Sequence, residues 1–286
     1  MTECALPTSS VERFFGFRDQ PFRISPDTEL FFSSQSVIKA NRLLTEFLAL
    51  NEGVFFISSE PGVGKTSFLK RLSELHSKQY RFVYLQCYPF TSNELFEAMA
   101  FSLKLRPSED KAKTLQLITL YIRRLRREGH KVVFLLDEAD ALSDEALYEL
   151  GLFAGAQHQN EHLVQIVLAG SQELMQRLQK GRAHYLLDKI ALSTELKPLM
   201  PFEIQPYIEY RLMSLSDNPP ALVNVKTADY LFKFSRGNPR LLNIICFRLL
   251  LEGAEAEKKD LSLLDFHTVI HSMHQEGLLP RKQDGR

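Results

Sequence analysis

The sequence contains little cysteine, no excess of either charge and no long apolar run. The three cysteines, Cys4, Cys87 and Cys246, are far apart and lack the C-x-x-C spacing of a zinc knuckle. Their odd number argues against a disulfide framework and fits a reducing compartment. The 35 basic and 35 acidic residues cancel, which excludes binding to nucleic acid through bulk positive charge but not through a local basic patch.

The apolar segments are too short to cross a membrane. The longest of them, such as Val132–Leu136, have the length of a strand, far below the roughly 18 residues that a membrane span needs. The first residues also lack the basic region and apolar stretch of a secretory signal. We therefore expect a cytoplasmic protein without a membrane span.

Strand-like and helical patterns alternate between residues 36 and 197. Such alternation predicts βαβ units, and hence a parallel sheet that is covered on both faces. The five predicted strands are Val54–Ser58, Phe82–Gln86, Val132–Leu136, Leu163–Ala169 and Ile190–Leu196. After Pro198 only helical patterns remain, which predicts an α/β core over residues 36–197 and an all-helical domain over residues 198–280.

The two ends of the chain differ from these domains. Residues 1–12 have the pattern of a loose leader, and residues 14–32 form an aromatic stretch in which Pro21 and Pro26 exclude a continuous helix. We treat residues 1–35 as a leader and aromatic linker, whose phenylalanines must pack against another part of the protein. Residues 281–286 are expected to be a frayed tail.

A phosphate-binding loop follows the first predicted strand. The segment Ser59-Glu-Pro-Gly-Val-Gly-Lys-Thr66 matches G-x-x-x-x-G-K-[ST] except for Ser59, which replaces the first glycine. Serine fits there if its φ angle is ordinary. Lys65 is predicted to reach the β- and γ-phosphates of ATP, and the Thr66 hydroxyl to hold Mg²⁺. The predicted nucleotide-binding residues are Glu60, Pro61, Gly62, Val63, Gly64, Lys65, Thr66 and Ser67.

Two acidic residues stand at the end of the third predicted strand. In an α/β sheet, ligands bind at the carboxyl ends of the strands. Asp137 is therefore predicted to order Mg²⁺, and Glu138 to activate the water that attacks the γ-phosphate. Residues 137–140 also spell the Asp-Glu-Ala-Asp of RNA helicases, but those enzymes need a second RecA-like domain, and about 90 helical residues follow instead.

Together these motifs resemble AAA+ ATPases of the ExeA type, a group that includes general-secretion and mannose-sensitive pilus-biogenesis ATPases and is related to regulators of Tn7-like transposition. The resemblance covers nearly the whole chain. Apart from the phosphate loop, it rests on Phe15-Gly-Phe17, Leu136-Asp-Glu-Ala-Asp-Ala-Leu142, Ile166–Leu174, Tyr207–Leu212 and Ser235-Arg-Gly-Asn-Pro-Arg240-Leu-Leu-Asn243.

The resemblance implies an α/β P-loop core of the AAA+ type with a five-stranded parallel sheet, followed by an all-helical lid. It implies that Ser171, where the family usually has glutamine, contacts the γ-phosphate or the attacking water. It also implies that Arg240 folds over bound ATP from the lid, and that the Phe-rich opening packs near the adenine.

Subunits of related ATPases assemble with the nucleotide at their interface. This chain is similarly expected to form nucleotide-dependent homo-oligomers. The family's interface arginine before the last strand appears here as Lys189. The basic residue that a subunit offers to the γ-phosphate of its neighbour, here called the finger, is therefore Lys189, Arg182 or Arg177, or it is missing.

Three further patterns are weaker. His158-Gln-Asn-Glu-His162 matches a zinc-protease motif but is predicted to lie in a loop, so we interpret it as a chance match. His267, His271 and His274 share one helix face, which suits a polar surface better than a metal site. Residues 111–131 hold seven basic residues and one acid. This basic stretch is a solvated surface or subunit interface, or alternatively a site for duplex DNA without base readout.

Three functions remain open at this point. The first is an ATPase that supports assembly of a pilus or secretion system. The second is an ATP-dependent regulator of transposition that binds DNA without sequence specificity. The third is a nucleotide-gated scaffold with little turnover, which the loss of the interface arginine would favour.

Overall fold

The computed structural model of the protein describes residues 10–51, 53–74, 78–158 and 161–278. These residues form two compact units. The first unit, the core unit, spans residues 35–197. The second, the helical unit, combines the described residues up to Ser34 with those from Pro198 onwards. Each unit encloses an apolar core of its own.

The core unit contains a parallel sheet of five strands in the order β2-β3-β6-β1-β7. This architecture confirms the predicted fold class. A separate hairpin of two-residue strands pairs β4 with β5. The strands are β1 (Val54–Ser58), β2 (Tyr80–Gln86), β3 (Lys131–Asp137), β4 (Gln157–His158), β5 (Glu161–His162), β6 (Gln165–Gly170) and β7 (Ile190–Glu195).

Helices cover the sheet of the core unit and make up the helical unit. They are α1 (Ser10–Phe15), α2 (Gln35–Leu50), α3 (Lys65–Glu74), α4 (Ser92–Ser102), α5 (Lys111–Arg127), α6 (Asp144–Ala154), α7 (Gln172–Leu178), α8 (His184–Leu187), α9 (Pro201–Met213), α10 (Val225–Ser235), α11 (Pro239–Glu255) and α12 (Leu263–Gln275). The predicted helices in both units are present, with ends that differ by a few residues.

The central strands are apolar because both faces of the sheet are buried. All residues of β1 and β6, and all of β3 after Lys131, are buried. The strands run in register, so that Gln86 pairs with Asp137 and Ser58 with Gly170. The carboxyl ends of four neighbouring strands therefore meet at one edge, which is the edge where the sequence places its functional residues.

The structure corrects the prediction for residues 10–12. They belong to α1 rather than to a loose leader, and Val11 is completely buried; residues 1–9 lie outside the described residues, as does the predicted tail. The aromatic stretch forms no continuous helix, as predicted, and its Phe15, Phe17 and Phe22 join the core of the helical unit. The expectation that these rings pack on another part of the chain is confirmed.

A buried arginine fixes the aromatic stretch to α9. Arg211 donates hydrogen bonds to the carbonyl oxygens of Pro21 (2.6 Å) and Leu30 (3.0 Å), and it pairs with the carboxylate of Asp27 at 3.0 Å. Because its guanidinium is almost fully buried, these three partners satisfy groups that would otherwise be costly to desolvate. The opening segment is thus an integral part of the helical unit.

Two segments of the core unit differ from their prediction. The helical pattern after the third strand extends from Asp144 to Gln157 in the sequence, but α6 ends at Ala154, because Gln157 pairs with His162 in the β4–β5 hairpin. The H-x-x-E-H segment therefore lies on a hairpin rather than in an irregular loop, although residues 159 and 160 fall outside the described part. The short helix α8 was not predicted.

The two described cysteines lie in the apolar cores, Cys87 in that of the core unit and Cys246 in that of the helical unit. Cys87 is 1% exposed and Cys246 is fully buried, and both are free thiols. Burial raises the pKa of each thiol to about 12, which keeps both protonated and unreactive at neutral pH. Cys4 lies outside the described residues.

One glycine of the helical unit is required by close packing. Gly237 has a left-handed φ of +75°, and a β-carbon at this position would lie 2.0 Å from the carbonyl oxygen of Leu199. Gly277 has a similar φ of +72° but has open space around it. Substitution of the two glycines therefore distinguishes the cost of a left-handed backbone, which both positions share, from the cost of a steric clash with Leu199, which arises only at Gly237.

We predict that Gly237→Ala destabilises the protein much more than Gly277→Ala. Both variants place alanine in the left-handed region, at about 1 kcal/mol, but only Gly237→Ala also forces the backbone away from Leu199, at roughly 1–3 kcal/mol more. Urea denaturation of both variants followed by circular dichroism measures the difference. Equal free energies of unfolding would contradict the close packing.

Candidate nucleotide-binding and catalytic site

The loop between β1 and α3 has the backbone of a phosphate-binding loop. Gly62 and Gly64 adopt φ angles of +82° and +114°, which favour glycine because they are unfavourable for other residues. Ser59 is not among the residues with positive φ, so serine fits the first position of the motif as expected. Since α3 begins at Lys65, its N-terminal N–H groups face the loop and suit an anion.

The side chain of Lys65 lies across this loop. Its ammonium donates to the carbonyl oxygen of Ser59 at 2.8 Å and to the Ser59 hydroxyl at 2.9 Å. Burial lowers the pKa of Lys65, while the nearby carboxylates of Asp140, Asp137 and Glu138 act in the opposite direction. The lysine is thus held at the mouth of the loop, where its charge is available to phosphate oxygens.

The carboxylate of Asp137 is buried at the end of β3. It is 1% exposed; one oxygen accepts the backbone N–H of Glu138 at 3.0 Å and the other accepts the Tyr84 hydroxyl at 3.0 Å. The main chain is also fixed, because the N–H of Cys87 donates to the Asp137 carbonyl at 2.8 Å. Asp137 therefore has one defined orientation.

Glu138 differs from Asp137 in both backbone and exposure. Its φ of +54° and ψ of +42° lie in the left-handed region, which costs a non-glycine residue about 1–2 kcal/mol. The side chain is exposed, and its carboxylate accepts a hydrogen bond from the Gln86 amide at 3.3 Å. Such local strain is concentrated at functional sites, and here it turns the second carboxylate away from the buried one.

Asp140 is a site residue that the sequence reasoning missed. Its carboxylate accepts the backbone N–H of Ser171 at 2.9 Å and also the Ser171 hydroxyl. That hydroxyl in turn caps α7 by accepting the N–H of Leu174 at 3.2 Å. The structure thus brings Ser171 to the same sheet edge as Lys65 and Asp137, but its hydroxyl is bound to Asp140. The only sequence signal for Asp140 was its place in the acidic motif.

The three candidates for an interface finger have different surroundings. Arg177 is held within the core unit, because it pairs with Asp144 at 2.7 Å and donates to two carbonyl oxygens in the segment after β3. Lys189 is half-buried and its ammonium lies 4.9 Å from the centre of the Tyr185 ring. Arg182 is exposed on a 3₁₀ turn. The geometry therefore favours Arg182 and Lys189 over Arg177.

The helical unit presents Arg240 from a tightly built turn. Helix α10 ends at Ser235 and is capped by Arg236 in the left-handed region. Gly237 follows, and the Asn238 side chain caps α11 by accepting the N–H of Arg240 at 3.1 Å. Pro239 then occupies the first position of α11. Arg240 is exposed in the first helical turn, which is where the sequence reasoning placed it.

The residues at the sheet edge fit a Mg²⁺ ion. Magnesium prefers oxygen ligands and keeps several waters, with one or two protein groups completed by substrate phosphates. Asp137 supplies an oriented carboxylate, and Thr66, at the second position of α3, supplies a hydroxyl. Within the ranges that the structure describes, no group of three or more His, Cys, Asp or Glu side chains is placed to hold a metal, so the fit rests on these two residues with the nucleotide.

The histidines of α12 do not converge on one point. His267 shares a hydrogen bond with the Tyr230 hydroxyl at 2.7 Å, His271 contacts Gln275 at 3.0 Å, and His274 contacts the carbonyl oxygen of Ile270 at 2.9 Å. This arrangement supports the interpretation of these histidines as a polar face.

The chain matches known proteins over both units. Residues 49–178 match the family described as AAA domain. These residues are therefore similar to an AAA domain. It is also 28% identical over 241 residues to General secretion pathway protein A of Aeromonas hydrophila, covering 84% of this chain but only 44% of that protein. The resemblance to ExeA-type ATPases that the motifs predicted is thereby confirmed.

Solved structures with this fold include proteins of replication and recombination. The Aeropyrum pernix ORC2 protein in its ADPNP–ADP complexes has a TM-score of 0.69, 15% identity, and coverage of 90% of this chain and 72% of that one. Drosophila ORC bound to DNA gives a TM-score of 0.66 at 15% identity, with 96% and 70% covered. The Thermotoga maritima RuvB branch migration motor gives 0.55 at 15%, with 85% and 73% covered. At these identities the likeness establishes the fold of an AAA domain with a helical C-terminal region.

Among the described residues no helix is both long and apolar enough to cross a membrane.

We predict that Lys65→Ala abolishes ATP binding by the AAA domain at concentrations that saturate the wild type. The variant loses the one lysine of the loop, and charge-assisted bonds of this kind contribute about 1.5–3 kcal/mol each. Calorimetric titration with ATP measures the loss. Lys39→Ala, an exposed lysine on α2 of the same unit, is the matched control, and unchanged affinity in Lys65→Ala would contradict the assignment.

Proposed function

We propose that this protein binds ATP with Mg²⁺ and hydrolyses it. The observation that carries the proposal is the meeting of a phosphate loop after β1 with two acidic residues at the end of β3, at the same edge of the sheet and on either side of β6. Lys65 lies across the loop, Asp137 is buried and oriented beside it, and Glu138 turns outwards from the next position. No other cluster in the described chain combines an anion-binding backbone with an acid suited to activate water.

Each site residue has its own role in the proposed binding and hydrolysis of ATP. The loop N–H groups and Lys65 bind and orient the β- and γ-phosphates, which places the leaving group. Bound Mg²⁺ supplies positive charge to the phosphate oxygens. Glu138 accepts a proton from the attacking water, and its exposed position leaves room for that water. Ser171 and Arg240 are the residues to which we assign the response to the γ-phosphate.

We further propose that subunits assemble through the nucleotide site. A cation reaching the neighbouring γ-phosphate would come from Lys189 or Arg182, since Arg177 is already held by three partners. Lysine keeps the charge of arginine but lacks its planar fork, so a finger at Lys189 would give slow turnover. Arg182 keeps the fork and is exposed.

The similarity to General secretion pathway protein A supports a role in assembling a secretion system or a pilus. This chain spans less than half of that relative, so the relative's complete activity and partners are not transferred here. In the proposed role, ATP binding drives subunit assembly, hydrolysis releases it, and the assembly component of the secretion system or pilus is the partner.

We predict that Glu138→Gln keeps ATP affinity but lowers turnover by at least about 100-fold, because general bases contribute on this scale. ATP-bound oligomers should then persist. Phosphate release and light scattering with and without nucleotide measure the two effects, and Glu145→Gln, an exposed acid in the first turn of α6, is the control. Retained turnover would exclude Glu138 as the base. A wild type that binds ATP without turnover would favour the nucleotide-gated scaffold.

A second candidate function is binding of duplex DNA by the basic stretch of residues 111–131. The structure reduces the cations available there, since Lys111 pairs with Glu149 at 2.6 Å and Arg126 donates to the carbonyl oxygen of His162. The exposed cations on one face of α5 are Lys113, Arg124 and Arg127, and Arg124 pairs with Glu128. This face is the observation that keeps the DNA regulator as an alternative.

If DNA is the partner, duplex DNA should stimulate ATP hydrolysis, and the stimulation should fall steeply with salt because each phosphate contact releases counterions. The double variant Lys113→Ala/Arg127→Ala should then lose stimulation while basal turnover stays unchanged. Turnover measured at several salt concentrations with and without DNA gives the answer. Absence of stimulation at low salt would contradict this alternative and leave the secretion or pilus role.

A further inference from the structure

Tyr84 joins the acidic strand end from a neighbouring strand. It lies on β2, which pairs in parallel register with β3, so that Tyr84 is opposite Leu135 and Gln86 is opposite Asp137. Residues 84 and 86 point to the same face of the sheet, since side chains alternate along a strand. Neither residue belongs to a motif of the sequence, and 53 positions separate Tyr84 from Asp137.

The Tyr84 hydroxyl is a fixed donor to the carboxylate of Asp137. The two oxygens are 3.0 Å apart, and the other carboxylate oxygen accepts the N–H of Glu138 at the same distance. Each carboxylate oxygen therefore holds one donor and keeps a further lone pair for a water.

The tyrosine ring is also held from the side of the phosphate loop. The Lys70 ammonium, on α3, lies 5.9 Å from the centre of the Tyr84 ring. Helix α3 begins at Lys65 and carries Thr66 in its first turn. Tyr84 therefore has contacts to the helix that presents the hydroxyl ligand and to the strand that presents the acid.

We propose that Tyr84 is a positioning residue for the Mg²⁺ site, which orients the carboxylate of Asp137 towards the water shell of the ion. The inference rests on the proposed function, since it deepens the role of Asp137 there. Hydrogen-bond partners of metal-binding groups fix their orientation, and their loss typically lowers metal affinity or activity by about 10–100-fold. A tyrosine that only supported the fold would instead affect nucleotide binding equally with and without the ion.

The test compares affinity for a non-hydrolysable ATP analogue with excess Mg²⁺ and with EDTA, measured by calorimetry. The ratio of the two dissociation constants isolates the contribution of the ion. In Tyr84→Phe we expect this ratio to fall by about 10-fold or more, while affinity in EDTA stays that of the wild type. The control is Tyr80→Phe on the same strand, which removes a hydroxyl bonded to the carbonyl oxygen of Leu48 at 3.1 Å and should leave the ratio unchanged.

The inference is overturned if Tyr84→Phe keeps the wild-type ratio, if both affinities fall together, or if Tyr80→Phe lowers the ratio equally. In an Asp137→Asn background, removal of the Tyr84 hydroxyl should have no further effect on the ratio, and a full additional effect would also overturn it. Thermal unfolding of each variant confirms that it is folded. A wild type whose affinity does not depend on Mg²⁺ would refute the proposed cofactor itself, which separates that failure from a failure at Tyr84.

Discussion

The site depends on one constraint, which is that the strands of the sheet are parallel and in register. Parallel strands end at the same edge, so residues that are far apart in sequence are brought together without a dedicated binding loop for each. Ser58, Asp137 and Gly170 end three strands at this edge, and the phosphate loop, the acidic pair and Ser171 follow directly from them. Any change that shifts one strand along its neighbour would move these groups apart together.

The sequence predicts the parts of this arrangement that have a local signature. Short apolar runs predict the five strands because the sheet is buried on both faces, and the phosphate loop is predicted by glycines whose φ angles the structure confirms as left-handed. The turn before Arg240 is local in part, since Asn238 caps α11 and Pro239 stands at its first position, whereas Gly237 also packs against the distant Leu199. In such segments the local structure depends mostly on residues that are neighbours in sequence, so a sequence pattern can predict it.

The parts that could not be predicted depend on pairs that are distant in sequence and have no spacing rule. Gln86 and Tyr84 contact the acidic pair only because β2 lies beside β3, and Asp140 meets Ser171 across 31 positions. Helix α1 was missed for a related reason, since six residues with two buried side chains, Val11 and Phe15, are too short for a helical period to be recognised. Its burial comes from a core made mainly by residues after Pro198.

The negative charge at the sheet edge explains why the phosphate loop alone does not balance the charge of a bound nucleotide. Burial lowers the pKa of Lys65, although the nearby carboxylates of Asp140, Asp137 and Glu138 act in the opposite direction. ATP adds further negative charge, which one ammonium and the N-terminal end of α3 cannot balance alone. In the proposed function, Mg²⁺ held at Asp137 would supply part of the missing positive charge. A site with this charge balance would favour the nucleotide together with its cation over the nucleotide alone, which is the physical reason why the proposed function includes the ion.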